Sequence, residues 1–317
     1  MKNWLRSISM AVRLYWLGVA VLGIAGLLAA NALLYSGEEI AAADASYGND
    51  VGGACPLGPR DGSAGRHERR SAQGGRYIVV APRNYRPELA HPLLLVYAPA
   101  GFGPGLSERY AGLTAGATRA GFVVSYVGRL QMSLDAVERL AAVIHEITEH
   151  WCIDPERVYA SGHSDGGTVA TALAALPKYR GLVHGIAVSG AGWQKADFDA
   201  AGCGAPLPVL VMHGAHDSQF PGFGRDAAAY WSACNRCEDA GKLEVPIGAC
   251  HRFRGCAAPT VYCEAHRSHW RWAGDPPAIM DFLVRQATEK APSAAGPKQG
   301  QHPASSSALD GVGQKPY

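Results

Sequence analysis

The chain has 317 residues, 48% of them hydrophobic and 18% charged, so it is long enough for one large core with a small appendage. Its 29 basic and 27 acidic side chains leave a formal charge of +2, and no basic run is interleaved with aromatics, so composition argues against a nucleic-acid partner. The densest basic stretch, GRHERR at 65–70, reads as a solvated loop.

At the N-terminus, Lys2, Arg6 and Arg13 precede an uncharged apolar stretch from Leu14 to Tyr35. At 1.5 Å per residue that is enough to cross a bilayer core of roughly 30 Å. The basic flank before it, and Glu38 and Glu39 after it, orient the rest of the chain outward. Two readings stand: a signal anchor, because the stretch exceeds a usual signal-peptide core, or a cleaved signal peptide, because Ala30-Asn31-Ala32 and Ala43-Asp44-Ala45 offer small-x-small cleavage sites. Both export the remainder, to the periplasm or beyond the cell, with a membrane contact only if residues 14–35 are retained. Residues 36–75 are rich in small and polar residues and read as a linker and lead-in. Residues 291–317 hold almost no large apolar side chains and read as a disordered tail.

Between them, over 76–290, short continuous apolar runs alternate with helical patterns. YIVVA at 77, LLLVY at 93, FVVSYV at 122, RVYAS at 157, HGIAVS at 184 and LPVLVM at 207 are predicted strands covered on both faces. SLDAVERLAAVIHEITEHW predicts a helix with Ser133 as its N-cap and Leu134, Val137, Leu140, Ile144, Ile147 and Trp151 along one stripe. A second helix, DGGTVATALAAL, stops at Pro177, and PPAIMDFLVRQ predicts a last one. This alternation predicts an α/β fold: a mostly parallel, doubly wound sheet with helices on both faces.

Eight cysteines fit an oxidising compartment, five of them between Cys234 and Cys263. Spacing does not reveal their pairing. Cys234-x-x-Cys237, followed by Cys250, His251 and Cys256, also permits a structural zinc; export favours disulfides and no metal.

The motif with chemistry is SGHSDGG at 161–167, where Ser164 lies at a predicted strand-to-helix junction between Gly162 and Gly166. A nucleophile elbow needs that setting, with glycines where the turn is crowded and a helix N-terminus facing the reacting centre. Serine also needs a base and an orienting acid, in the chain order Ser, Asp, His. Asp217 follows the strand LPVLVM, and His266 and His269 lie in a loop after VYCEA. The backbone N–H of Asp165 is the expected first oxyanion donor, with Ala100 or Gly101 supplying the second from the loop after LLLVY. Gly101, Gly103 and Gly105 partly match a dinucleotide fingerprint, but no acidic residue lies between Glu108 and Asp135 to hold a ribose, so no cofactor is expected. Trp193, Phe220 and Trp270 are candidate substrate contacts, with Phe223, Trp231 and Trp272 nearby in sequence; such aromatics also commonly belong to cores.

Over roughly residues 75–285 the chain resembles the exported α/β-hydrolase esterases grouped with feruloyl esterases and poly(3-hydroxybutyrate) depolymerases. CIDPERVYASGHSDGG is similar to that family's nucleophile strand, AGCGAPLPVLVMHGAHDSQFPGFG to its acid region, and VYCEAHRSHW to its histidine loop. The resemblance implies an α/β-hydrolase fold, a triad of Ser164, Asp217 and His269 rather than His266, and an ester substrate, small or polymer-linked; a monomer is the expected state. Two departures stand out. Ala98-Pro99 replaces the family's His-Gly, and Pro99 has no N–H to donate; Arg267-Ser268-His269-Trp270 replaces its Gly-Gly-His and Trp-Pro context. The first of these supports an alternative, a catalytically inactive envelope protein that keeps the fold and binds a partner or ligand.

Overall fold

The structure, a computed structural model, describes residues 41–46, 53–56 and 58–289. The apolar segment 14–35 and the tail 291–317 lie outside the described residues. Among the described residues no helix is long and apolar enough to cross a membrane.

The apolar runs form strands where their patterns place them. Along the chain come β1 (Gly65–Arg70), β2 (Arg76–Ala81), β3 (His91–Tyr97), β4 (Val123–Val127), β5 (Ile153–His163), β6 (Ile186–Ser189), β7 (Val209–Gly214), β8 (Ala249–Arg252) and β9 (Thr260–Ala265). They make one sheet in the order β1-β2-β4-β3-β5-β6-β7-β9-β8. From β4 through β9 the pairing is parallel, while β1, β2 and β8 join antiparallel at the two edges.

Seven helices link the strands among the described residues: α1 (Pro104–Ala111), α2 (Thr114–Arg119), α3 (Leu134–His150), α4 (Asp165–Ala175), α5 (Lys195–Ala201), α6 (Phe223–Cys234) and α7 (Pro276–Glu289). Alternate residues of each strand serve opposite faces. Leu93, Leu95 and Tyr97 of β3 pack with α3, α4 and α6, whereas Leu94 and Val96 pack with α1, α2 and α7. Two apolar layers therefore cover the sheet, which explains why its central strands have no polar alternation.

The longest helix, α3, starts as its sequence predicts. Ser133 is extended and its hydroxyl accepts the Ala136 N–H at 3.0 Å. Val137, Leu140, Ile144 and Ile147 are buried, but Leu134 in the first turn is 74% exposed, so the apolar stripe begins one turn later than expected. At the start of β5, Asp154 accepts from Arg157 Nε at 2.8 Å, and Arg157 donates also to the Ala90 carbonyl of the neighbouring chain segment. That buried pair gives the Asp-Pro stretch its structural role.

GRHERR is not a solvated loop. It is the edge strand β1, paired with β2 from Gly65↔Ala81 to Arg70↔Arg76. Its exposed charges protect the open edge rather than prevent pairing, and Arg69 lies over the Trp151 ring at 5.5 Å. The described part of the expected linker is also held to the domain: Arg83 N–H donates to the Ala43 carbonyl, and Cys55 is bonded to Cys152. The other disulfides are Cys203–Cys234, Cys237–Cys256 and Cys250–Cys263, leaving no free cysteine. The C-x-x-C is thus split between two bridges, and its sulfurs are not available as zinc ligands. Four disulfides fit an oxidising compartment.

The Ser133 cap and the exposed Leu134 make a paired stability test. Ser133→Ala is expected to lower unfolding stability by about 1 kcal/mol in urea titration. Leu134→Ala is expected to stay within about 0.5 kcal/mol of the parent.

Candidate active site

Ser164 sits where β5 ends and α4 begins, with φ 56° and ψ −120°. Such a conformation is costly for a residue with a Cβ, and the neighbours enforce it. A Cβ at Gly162 would collide with the Gly166 backbone, and one at Gly166 would collide with the Tyr97 carbonyl of β3. Glycine at both places lets strand and helix turn back on each other. The Ser164 N–H donates to the Ser189 carbonyl at 3.0 Å, and its own carbonyl accepts from Thr168 N–H and Thr168 Oγ1, each at 2.9 Å. The side chain is left at the positive end of α4.

His269 reaches this serine from the loop after β9. Its Nε2 lies 2.8 Å from Ser164 Oγ, and its Nδ1 lies 2.7 Å from Asp217 Oδ2. All three side chains are buried. Asp217 follows β7 as expected, and its Oδ1 accepts the N–H groups of Gln219 at 3.0 Å and Phe220 at 2.9 Å. Burial alone would raise this carboxyl, but the His269 hydrogen bond, then the Phe220 N–H and the neighbouring imidazoles, hold it below its ordinary value. An ionised Asp217 accepts the proton on His269 Nδ1, which leaves Nε2 free to accept the serine proton.

His266 takes no part in this geometry. It is exposed, with its ring 6.2 Å from that of His216. Asp165 begins α4, where the first N–H groups have no intrahelical acceptor, and its carboxylate lies 3.5 Å from Arg129 Nε. Ala100 and Gly101 are the central residues of a turn closed by Phe102 N–H on the Pro99 carbonyl at 3.2 Å. Neither of their N–H groups donates to a described backbone acceptor. Pro99 therefore removes its own donor without occupying the two that follow.

The aromatic candidates separate. Phe220 is half-buried and meets the His269 ring edge-on at 5.0 Å, with Phe223 stacked behind it at 5.4 Å. Trp270 is 79% exposed, its ring 6.4 Å from that of His269. Trp193 is buried against Phe198 and donates its indole N–H to the Thr168 carbonyl, so it supports the first turns of α4 rather than lining an open surface. Trp231 and Trp272 are buried. Among the described residues no group of three or more His, Cys, Asp and Glu is arranged to hold a metal ion.

Three residues that the motifs did not single out complete the site. His213 Nε2 donates to the Phe220 carbonyl at 3.0 Å and so braces the acid loop. His163 and Ser189 contact one another at 3.0 Å, and His163 Nε2 meets the backbone carbonyl of His269 at 2.7 Å. His163 directly precedes Ser164, but its partners come from distant segments.

No family model matches the sequence. The Nocardia uniformis subsp. tsuyamanensis protein named "Putative esterase NocK" is 31% identical over a stretch covering 46% of this chain and 49% of that protein. Feruloyl esterase B of Piromyces equi is 24% identical, over 57% of this chain and 39% of its own length. The chain thus spans half or less of the length of these curated relatives. Among solved structures, a truncated carbohydrate esterase from gut microbiota superposes with a TM-score of 0.52 at 11% identity, covering 72% of this chain and 98% of that one. The fold is the α/β-hydrolase fold. The likeness at the sequence level is to proteins named as esterases, one of them a feruloyl esterase, in line with the resemblance read from the motifs.

Burial lowers the pKa of His91, His163 and His213, with His163 brought to about 4 by desolvation and then by neighbouring His269. Unfolding restores them to about 6.5, so below that pH the unfolded chain binds more protons than the folded one. Their contribution is complete above pH ~6.5 and is lost as pH falls towards the folded values. The urea midpoint of His163→Gln is therefore expected to fall less steeply between pH ~6.5 and ~4.5 than that of the parent; parallel curves would show that His163 does not carry this dependence.

Proposed function

We propose that the protein is an exported serine esterase that hydrolyses carboxylic esters through an acyl-enzyme, with Ser164 as nucleophile, His269 as base and Asp217 as the residue that orients the base. The observation that carries this reading is the continuous contact from Asp217 Oδ2 through both nitrogens of His269 to Ser164 Oγ. His269 takes the serine proton as Oγ attacks the ester carbonyl, and Asp217 stabilises the imidazolium that forms. His269 then gives that proton to the departing alcohol. Water then gives a proton to His269 as its oxygen bonds to the acyl carbon, and His269 returns that proton to Ser164 Oγ as the Oγ–acyl bond breaks and the acid leaves. The Asp165 N–H, at the start of α4, and the Ala100 N–H, in the turn after β3, are the donors we assign to the oxyanion; Gly101 is the adjacent candidate.

Within the ester classes that the resemblance covers, feruloyl-type, acetyl-type and hydroxyalkanoate, Phe220 backed by Phe223 favours a planar aromatic acyl group beside His269. Trp270 is available to a bulkier or polymeric alcohol portion because it stands in solvent. The relative named feruloyl esterase B supports the same choice. Export, through an N-terminal segment at 14–35 that is either cleaved or kept as an anchor, accords with the four disulfides, and we take the enzyme to act as a monomer.

Stopped-flow hydrolysis of p-nitrophenyl acetate is expected to give a burst of p-nitrophenol stoichiometric with enzyme. Ser164→Ala and His269→Ala should each lower kcat about 10⁴- to 10⁶-fold, whereas His266→Ala should leave it within about twofold. Asp217→Asn should cost about 10⁴-fold. Methyl ferulate should be turned over with a higher kcat/KM than methyl acetate, and Phe220→Ala should reduce that preference. Ser164→Ala retaining parental turnover would reject the esterase reading; a reversed ester preference would reject only the aromatic acyl group.

A further inference from the structure

Behind the triad lies a second buried chain of hydrogen bonds. The acceptor at His269 is a backbone carbonyl, which only accepts, so the 2.7 Å contact requires His163 Nε2 to carry the proton. With its pKa lowered by burial, His163 is neutral near pH 7, which makes Nδ1 an acceptor. The Ser189 hydroxyl is then the donor to Nδ1 at 3.0 Å, and Ser189 Oγ in turn accepts the Ala273 N–H at 3.0 Å. The direction is thus fixed throughout: Ala273 N–H to Ser189, Ser189 O–H to His163, His163 N–H to the His269 carbonyl.

The two ends of this chain lie at residues 269 and 273, so it fastens both ends of the short segment that carries the catalytic imidazole. Its middle is fastened to the nucleophile, because the Ser189 carbonyl accepts the Ser164 N–H and His163 directly precedes Ser164. Packing holds the His163 ring in place. Trp272 stacks on it at 5.9 Å with the ring planes 30° apart, Tyr110 is 5.8 Å away, and a Cβ on Gly190 would stand only 3.0 Å from His163 Cε1.

We propose that His163 and Ser189 are positioning residues that set the placement of His269 against Ser164; this rests on the esterase reading of the same site. His163 is not a second base, since both of its nitrogens are engaged and its Nε2 proton is committed to a carbonyl. Its effect is geometric, and a misplacement of about 1 Å in a reacting group costs on the order of 100-fold in rate.

The test uses p-nitrophenyl acetate kinetics and the downfield proton resonance of the His269–Asp217 hydrogen bond, measured on the full chain, parent and variants. In His163→Gln the side-chain amide still offers an N–H to the His269 carbonyl; His163→Leu fills similar space without a donor. His163→Leu is expected to lose about 10- to 100-fold in kcat with KM within about twofold, and its downfield resonance should shift or broaden. His163→Gln should recover most of kcat and the parental resonance. Ser189→Ala removes only a hydroxyl and should also lower kcat with little change in KM, which keeps the test open if His163→Leu does not fold. The proposal is overturned if Ser189→Ala matches the parent in both kcat and resonance, or if His163→Gln falls as far as His163→Leu. An inactive parent would defeat the esterase reading instead, and the resonance would still report whether His163 and Ser189 position His269.

Discussion

The backbone at Ser164 constrains everything around it. A serine at φ 56° and ψ −120° costs on the order of 1–3 kcal/mol, and it persists because neighbouring parts of the chain leave no alternative. β5 enters between β3 and β6, α4 must leave over the same edge, and Gly166 passes so close to the Tyr97 carbonyl that no side chain fits. The hydrogen bond that Ser164 N–H donates to the Ser189 carbonyl, and those its own carbonyl accepts from Thr168, then fix the turn from both sides. In return, the serine oxygen is raised out of the sheet and placed at the N-terminus of a helix, where backbone N–H groups and the helix dipole favour developing negative charge.

The other two members of the proposed triad depend on the parallel pairing of β7 and β9. Asp217 and His269 lie just beyond the ends of these adjacent strands, and the pairing continues into their loops: Ala215 N–H donates to the Ala265 carbonyl and His216 N–H to the Arg267 carbonyl. His213 braces the acid loop from below through the Phe220 carbonyl. The Cys250–Cys263 bridge ties β9 to the edge strand β8, and Glu264 of β9 is paired with Arg225 of α6. A carboxylate and an imidazole far apart in sequence are thereby held at hydrogen-bond distance by the sheet.

Much of this was legible in the sequence because its physical causes are local. Continuous apolar runs mark strands covered on both sides, the Ser133 cap marks the start of α3, and the glycines around Ser164 mark a crowded turn. Asp217 is legible from its place past a strand end, and resemblance to a known histidine loop is what points to His269 rather than His266. What could not be read depended on distant partners. GRHERR looks like a loop because edge strands carry charge, and only β2 makes it a strand. Trp193 looks like a substrate contact until Phe198 and Thr168 enclose it. His163 and Ser189 gain their significance from three chain segments that meet only in the fold.

The central claim is that Ser164 is the activated nucleophile. It is tested most directly by treating the folded protein with a fluorophosphonate and locating the adduct by peptide mass spectrometry. The expected result is one adduct per chain on the peptide containing Ser164, lost when His269 is replaced by alanine. An adduct on another residue, or none on folded protein, would contradict it.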